Sequence, residues 1–340
     1  MKASPTIVPA RKRNGVREAR TIVANVGQVQ GPAEHVRRLL ACPVCRTSID
    51  FVGDGALCNS CGRRFRMSVG IPVLVPDGIE VLDLPPGMQR RPARTRARAI
   101  ARRIAKVSES HVYKSPALAR LVDDFVAAVP GSGPMLNLGA GDTDYGPRFL
   151  NLEIAPAPGI HVVGTGEALP FSDGAFDGVV LLAVLEHVRD AEATLSEMAR
   201  VMAPGGLALV DVPFIQGYHS SPHDYRRYTQ LGLRTALERH GLEVRATGVS
   251  AGPASALGWI LSEFLCLILQ GPHPGGTRRK LSGIAAGLLT WPVPRLDRWL
   301  DTREYAHVAA SGVWATARRP EAARPPGLKR SMVREPGTTP

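Results

Sequence analysis

The sequence predicts an α/β protein whose main domain is a doubly wound, mostly parallel sheet of seven strands, preceded by a small β-rich domain. From Met135 onward short apolar runs alternate with helical patterns, which is typical of a parallel sheet with crossover helices. Before that point, short β-like runs carry two close pairs of cysteines. The strands are predicted near 135–139, 149–154, 161–164, 176–183, 206–212, 242–249 and 307–317, and helices near 190–202 and 229–240.

Changes in composition divide the chain into successive segments. The N-terminus is rich in Arg, Pro and Gly without apolar periodicity, and the C-terminus is Pro-rich and basic, so both are predicted to be disordered. The predicted organisation is a disordered basic arm (1–34), a cysteine-bearing domain (35–82), a basic linker (83–110), an α/β domain (111–319) and a disordered tail (320–340).

The formal net charge of +12 is confined to the N-terminal third. Residues 1–110 carry 20 Lys and Arg against 8 Asp and Glu. Within the linker, residues 90–106 contain eight basic and no acidic side chains, so weak contact with RNA or with an anionic membrane surface is expected there, a solvated linker being the alternative. No apolar stretch of signal-peptide length lies near the N-terminus, which favours a cytoplasmic location, with peripheral membrane association as the alternative.

An apolar insertion at 251–304 separates the last predicted strand from the others. It contains the helical stretches "ASALGWILSEFLCLIL" and "LSGIAAGLLTWPVPRLDRWL", joined by a hinge that carries Arg278, Arg279 and Lys280. No window reaches 18 uncharged apolar residues, so no transmembrane segment is predicted. A pocket lid or a core element is expected, and contact with one face of a membrane is the alternative.

Four cysteines have the spacing of a closed metal site: Cys42 and Cys45, then Cys58 and Cys61. Each pair, separated by two residues, aims two thiolates at one tetrahedral ion, and the intervening hairpin brings the pairs together. The spacing predicts one structural Zn²⁺, with reduced free thiols as the alternative. The stretch "LLACPVC…CNSCGRRFRMSVGIPVLVPD" resembles the small zinc-ribbon domain found as a partner subunit of tRNA methyltransferases and fused to many bacterial methyltransferases.

The stretch "LNLGAGD", residues 136–142, indicates a ligand close to the backbone. Gly139 and Gly141 have no Cβ, so they permit positive φ and leave room beside the main chain. In a doubly wound sheet the first strand–helix turn lies against the ligand, and an acid at the end of the next strand commonly binds a ribose diol. Glu153 is in that place. Only eleven residues separate Gly141 from Glu153, so the first crossover helix must be short or missing.

The run "GEALPFSDGAFDGVVLLAVLEHVRDAEATLSEMARVMAPGGLALVDVPF" (166–214) closely resembles class I S-adenosylmethionine-dependent methyltransferases of the type 11-like kind. The resemblance covers about residues 115–250 and implies a Rossmann-like fold with S-adenosylmethionine as cofactor. It implies that the two glycines pass beside the methionine portion of the cofactor, that Glu153 holds the ribose and that Ala168 and Leu169 flank the adenine. The full set of cofactor-binding residues that it implies is Asn137, Gly139, Ala140, Gly141, Glu153, Ala168, Leu169 and Leu182.

The acceptor is expected to meet "PFIQGYHSSPHDYRRYTQLGL" (213–233), because loops at the carboxyl ends of parallel strands build active sites. Similar segments occur in a subset of these methyltransferases. We predict His219 as a general base, with Asp224 and Arg226 beside it as further catalytic residues. The alternative is that Asp224 and Arg226 pair only to hold the loop. His187 follows the fourth strand and is equally compatible with a structural role.

Three functions remain open from the sequence. The first is methyl transfer to a small-molecule, glycan-precursor or lipid-linked acceptor. The second is methylation of rRNA or tRNA, with the zinc ribbon and the basic linker binding the RNA, although the chain has "LLAVLEH" where methylases of exocyclic base amines usually carry Asn/Asp-Pro-Pro-aromatic. The third is a zinc-ribbon adaptor with a degenerate methyltransferase fold, which cofactor binding would exclude.

Overall fold

A computed structural model describes residues 32–79, 81, 116–219, 223–272 and 276–321. Most of the predicted arm, linker and tail, including residues 90–106, lies outside the described residues. The main sheet has seven strands. They are β5 (Met135–Leu138), β6 (Phe149–Glu153), β7 (Val162–Val163), β8 (Phe176–Leu182), β9 (Met202–Pro213), β10 (Glu243–Ala251) and β11 (Gly312–Arg318), after four short strands of the N-terminal domain, β1 (Ile49–Val52), β2 (Gly55–Cys58), β3 (Arg64–Ser68) and β4 (Ile71–Pro72).

The seven strands run in the order β10-β11-β9-β8-β5-β6-β7, and the first five in chain order are mutually parallel. β11 lies between β10 and β9 and is antiparallel to both, so β10 points in the same direction as the parallel strands. The predicted Rossmann-like α/β class is therefore confirmed. Since all parallel strands end at one edge of the sheet, their loops lie together there. No helix intervenes between β5 and β6, a connection that the structure describes throughout.

Helices cover the sheet, and two of them begin after residues whose side chains cap the helix N-terminus. The helices are α1 (Glu34–Arg37), α2 (Pro116–Ala128), α3 (Ala191–Val201), α4 (Gln230–Arg239), α5 (Pro253–Gln270), α6 (Gly276–Thr290) and α7 (Asp297–Leu300). Asp190 caps α3 by accepting from Ala193 N at 2.9 Å, and Thr229 caps α4 by accepting from Gly232 N at 3.0 Å.

The N-terminal domain docks on the β7 edge of the main sheet. Its four strands form an antiparallel sheet in chain order. Val73 makes a parallel bridge to Val163, and Leu74 N donates to Val163 O at 2.8 Å. On the neighbouring stretch, Leu40 bridges Phe171 in the antiparallel sense. The ribbon and the main domain share one hydrophobic core, so they form a continuous structure.

The apolar insertion folds as two packed helices, α5 and α6, followed by short turns before β11. β11 begins at Gly312, five residues later than predicted, because Ala306–Val308 forms a 3₁₀ turn. The expectation that no segment spans a membrane stays a prediction. By length and composition alone the 18-residue helix α5 is long and apolar enough to cross one, and 28% of it is buried.

Candidate functional site

The glycine loop after β5 adopts the conformation that the sequence predicts. Gly139 and Gly141 have φ of +73° and +55°, a region that side-chain-bearing residues rarely adopt. A Cβ on Gly139 would collide with the side chain of Val184, which follows β8. A Cβ on Gly141 would meet no atom within 4 Å, so this glycine borders open space. The two positions therefore need glycine for different physical reasons. Gly139 allows close packing against Val184, and Gly141 keeps the space beside the loop open.

Glu153 lies directly against this loop. Its Oε2 accepts from Gly141 N at 2.9 Å, and its Oε1 accepts from Ile154 N at 2.8 Å. These bonds fix the carboxylate at the end of β6. A carboxylate oxygen accepts more than one hydrogen bond, so both oxygens can still accept hydrogen bonds from the hydroxyls of a ligand. The arrangement fits a ligand that carries a diol.

Asn137 and Ala140 lie beneath the loop rather than on its open side. Asn137 is 4% exposed, and its Nδ2 donates to Asn151 Oδ1 at 3.1 Å and to Thr143 O at 3.0 Å. The β5–β6 register sets Asn137 beside Asn151. These bonds hold the loop in position, and a direct contact of Asn137 with a cofactor stays a prediction.

The remaining predicted cofactor residues lie on neighbouring segments. Leu169 is fully buried, and its backbone N donates to Glu197 Oε2 at 2.8 Å. Ala168 is half-buried beside it, and Leu182 is half-buried at the end of β8. Ala183 comes next with φ of +53°, a strained value for a residue other than glycine and of a kind that clusters at functional sites.

A buried carboxylate that sequence reasoning missed, Glu186, lies beside the predicted base His219. It is 1% exposed, and neither side-chain oxygen has a hydrogen-bond partner among the described residues. His187 Nε2 and His219 Nε2 lie 3.7 and 3.8 Å from its Oε1. The ligand atoms of the three residues are within 4.8 Å of one another, a spacing that a metal ion could also use. The available signal was the acid in "LEH" after β8.

His219 is oriented by its own loop. Its backbone N donates to Asp224 Oδ2 at 2.8 Å, and its Nδ1 lies 3.2 Å from Gly217 O. With Nδ1 on that carbonyl, Nε2 faces Glu186. The Glu186 carboxylate raises the pKa of His219 above its usual 6.5, against the opposing effect of burial. The ring of Trp259 from α5 lies over His219, with centroids 5.3 Å apart.

The structure corrects the predicted pairing of Asp224. Arg227, not Arg226, forms a two-pronged ion pair with it, with Arg227 Nη2 at 2.7 Å from Asp224 Oδ2. The bonds from Arg227 lower the pKa of Asp224 to about 2. Arg226 instead donates to Arg189 O at 2.5 Å. The sequence spacing allows either of the two adjacent arginines to pair with Asp224. The path of the loop in the folded structure decides which of them does.

A second carboxylate missed from the sequence, Asp211, lies near the end of β9. Its Oδ1 has no hydrogen-bond partner within the described ranges. Burial raises the pKa of Asp211 from 3.8 to about 7, assisted by the negative charge of Glu186 and opposed by a bond from Ser250. Burial likewise raises the pKa of Tyr145, and Asp211 adds to that effect. Two carboxylates, those of Glu186 and Asp211, therefore lie close enough together for their charges to interact.

The four cysteines of the ribbon converge as predicted. Cys42 and Cys61 have their Sγ atoms 3.8 Å apart, and Cys45 and Cys58 are 3.3 Å apart. All four Sγ atoms lie within 4.8 Å of one another. Four thiolates bound tetrahedrally at the usual Zn–S distance of about 2.3 Å would be about 3.8 Å apart, so the cluster fits a zinc ion. The hairpin of β1 and β2 stands between the two pairs, as expected.

Comparison with known proteins identifies the same region. A family profile described as a methyltransferase domain matches residues 141–210. A demethylmenaquinone methyltransferase of Corynebacterium glutamicum (strain R) is 51% identical over 45 residues, covering 13% of this chain and 20% of that protein. An uncharacterized methyltransferase of Mycolicibacterium gilvum is 34% identical over 143 residues, covering 35% of this chain and 56% of that protein. The chain thus spans only part of the length of these relatives.

Solved structures with a related fold are distant. A geranyl diphosphate C-methyltransferase of Streptomyces coelicolor, in complex with S-adenosylhomocysteine, has a TM-score of 0.36 at 14% identity, covering 59% of this chain and 78% of that chain. A 1,6-didemethyltoxoflavin-N1-methyltransferase of Burkholderia thailandensis has a TM-score of 0.37 at 12% identity, covering 79% of this chain and all of that chain. These likenesses are too distant to bear on function.

Proposed function

We propose that the protein is an S-adenosylmethionine-dependent methyltransferase. The observation that carries the proposal is the contact of Glu153 with Gly141 at the carboxyl edge of the sheet, inside the stretch that matches the methyltransferase profile. Glu153 would hold the ribose of the cofactor, and the open side of Gly141 would admit its methionine portion. Ala168 and Leu169 would flank the adenine. Gly139, Ala140 and Leu182 would shape the floor of the site, with Asn137 beneath.

In this proposal the acceptor binds between the cofactor and His219. When bound, the cofactor would supply the methyl group of its sulfonium and be released as S-adenosylhomocysteine, and in-line positioning of the acceptor by the protein would supply most of the rate. For a hydroxyl acceptor, His219 Nε2 accepts the proton and Glu186 compensates the imidazolium charge that forms. Asp224 positions His219 through its backbone N. Arg226 belongs to the same loop. In place of the predicted catalytic role, we propose that it contacts the acceptor.

For the acceptor, we propose the first of the three functions that the sequence leaves open. A small-molecule, glycan-precursor or lipid-linked acceptor suits a site in which Trp259 packs beside His219. RNA methylation through the ribbon and residues 90–106 is the second candidate. A non-enzymatic adaptor is the third, and the geometry around Gly141 argues against it. The ribbon would hold one structural Zn²⁺ through Cys42, Cys45, Cys58 and Cys61. The protein would be cytoplasmic, with peripheral contact with the membrane.

Calorimetry with S-adenosylhomocysteine tests the cofactor. A single site is expected, and folded protein that binds nothing at millimolar ligand contradicts the proposal. Methyl transfer from labelled S-adenosylmethionine into fractionated lipid, polysaccharide and RNA then tests the acceptor. Label recovered in one defined nucleotide of rRNA or tRNA would replace the first function with the second.

The pH profile of this transfer tests the proton acceptor. Because only neutral His219 accepts a proton, activity should rise with pH through the raised pKa of His219. Glu186→Gln removes the main cause of the increase, so the midpoint should move to lower pH, while S-adenosylhomocysteine affinity should stay within about threefold. An unmoved midpoint in a folded variant would contradict the role of the pair.

A further inference from the structure

The helical insertion exposes an unusual amount of large apolar side chain. In α5 the exposed residues recur at helical spacing along one face, and α6 continues the surface beside it. Phe264 is 57% exposed and Leu267 62%. The exposed apolar residues that define this insertion surface are Leu257, Ile260, Phe264, Leu267, Ile268, Leu281, Leu288, Leu289, Trp291 and Trp299.

The faces that these helices bury have the opposite character. In α5 the buried residues are Ala254, Ser255, Ala256, Gly258 and Ser262, and in α6 they are Ser282, Ala286, Gly287 and Thr290. A surface helix in water normally buries its large apolar side chains and exposes polar ones. Helices in lipid reverse this order, with small residues at the helix contact and large apolar residues facing outward. The insertion follows the lipid pattern.

The charges around the insertion surface complement an anionic membrane. Arg278, Arg279 and Lys280 are all exposed in the first turns of α6. Arg295 stacks on Trp291 and Arg298 on Trp299, each with the guanidinium 3.8 Å from the ring centroid. Trp and Arg side chains of this kind lie at the headgroup level, with the apolar part in lipid and the charge in water.

Acidic groups do not oppose this charge strongly. Within the insertion, residues 251–304, the acids are Glu263, Asp297, Asp301 and Glu304. Asp297 is 1% exposed, and its carboxylate accepts from Ala254 N and Ser255 N at 2.8 Å, where it caps α5. Its charge is therefore used inside the fold, which leaves three acids against the six Lys and Arg residues of the insertion.

We propose that the insertion surface docks onto an anionic lipid bilayer at its interface, and that the methyl acceptor is a lipid-borne molecule. The same helix α5 carries Trp259 against His219 and Gly217. A helix is about 10 Å across, so docking places the pocket within about one helix diameter of the headgroups. Because Trp259 and the α5 cap hold this helix against the main domain, α5 lies along the membrane and does not cross it. The acceptor clause rests on the proposed methyl transfer, whereas the docking clause does not.

Cosedimentation of the full-length, zinc-loaded protein with vesicles tests the docking. Phosphatidylcholine vesicles with phosphatidylglycerol should bind the protein, and vesicles of phosphatidylcholine alone should bind it weakly. The variant Phe264→Ser/Leu267→Ser should lower binding at least about tenfold. Leu231→Ser removes an exposed leucine on α4, outside the surface, and is the matched control with unchanged binding. The basic linker is intact in all of these proteins, so it cannot account for the difference.

Three results would overturn the docking proposal. They are unchanged vesicle binding by the Phe264→Ser/Leu267→Ser variant, absence of binding by the folded wild type, and a concentration-dependent dimer in light scattering that the same variant abolishes. The last would assign the surface to a second copy of the chain. Calorimetry with S-adenosylhomocysteine on the same preparations separates this proposal from the proposed function. In a further outcome, the protein binds both the vesicles and S-adenosylhomocysteine and yet transfers label only to water-soluble acceptors. That result would refute the lipid-borne acceptor and leave the docking proposal standing.

Discussion

At the scale of single residues, the site depends on what each side chain has next to it. The two loop glycines share positive φ, yet only Gly141 borders open space. Glu186 is a buried acid beside two histidines, and burial raises the pKa of Asp211, so both are candidates for functional groups. Neighbours therefore decide the role of each residue.

The glycines predict a separation of binding from stability. Gly141→Ala should weaken S-adenosylhomocysteine binding at least about tenfold, because its Cβ enters the cofactor space, with a backbone strain of about 1 kcal/mol. Gly139→Ala should instead lower the free energy of unfolding by about 2–4 kcal/mol, since its Cβ collides with Val184. Calorimetry and urea unfolding measure the two effects. Equal affinity for Gly141→Ala and wild type would contradict the assignment.

Asp211 predicts a pH-dependent stability difference. Its folded pKa of about 7 lies above the ordinary 3.8, so the native state favours the protonated acid and is destabilised as pH rises through this interval. Asp211→Asn removes the ionisation. The variant should match wild type at pH values near 4 and be more stable above pH 7, by up to about 4 kcal/mol. Urea unfolding at several pH values checks this, and a constant difference would contradict the shifted pKa.

At the scale of elements, the ion pair between Asp224 and Arg227 helps to hold the loop after β9. Asp224 is nearly buried, and Arg227 joins it to Gly217 O at 3.1 Å. The same carboxylate holds His219. Correct placement of the candidate base therefore depends on a residue outside the predicted site set.

Adjacent arginines allow a matched test of this loop. Arg227→Lys loses the two-pronged geometry and should cost about 1–3 kcal/mol of stability, whereas Arg226→Lys should cost less than about 0.5 kcal/mol. The folded pKa of Asp224 is about 2 against 3.8, so its ionised form stabilises the protein above 3.8, and this contribution is lost as pH falls towards 2. Thermal unfolding of both variants at neutral and acid pH measures the effect. A larger cost for Arg226→Lys would restore the original pairing.

At the scale of the whole molecule, the ribbon and the main domain share one hydrophobic core. The ribbon pairs with the β7 edge, and Leu40, Leu74 and Phe171 belong to one core. Zinc bound in the ribbon should therefore stabilise the main domain as well.

Tryptophan fluorescence can follow the main domain alone, because all four tryptophans lie between residues 259 and 314. Removal of zinc by a chelator should lower the unfolding temperature seen by tryptophan, by roughly 5 °C or more. Native mass spectrometry should show one zinc per chain before treatment and none after. An unchanged tryptophan transition in metal-free protein would mean that the domains unfold independently. A second bound metal would point to Glu186, His187 and His219.

The sequence by itself determined the seven-stranded sheet, the glycine loop, the placement of Glu153 and the cysteine cluster. Apolar periodicity, positive-φ glycines and ligand spacing are local signals, and a parallel sheet brings its strand ends together whatever the details of packing. The partner of Asp224, the burial of Glu186 and Asp211, the docking of the ribbon on β7 and the outward face of α5 were decided only in the tertiary structure. Each of these depends on which distant segments pack against a residue, and no local pattern of the chain encodes that choice.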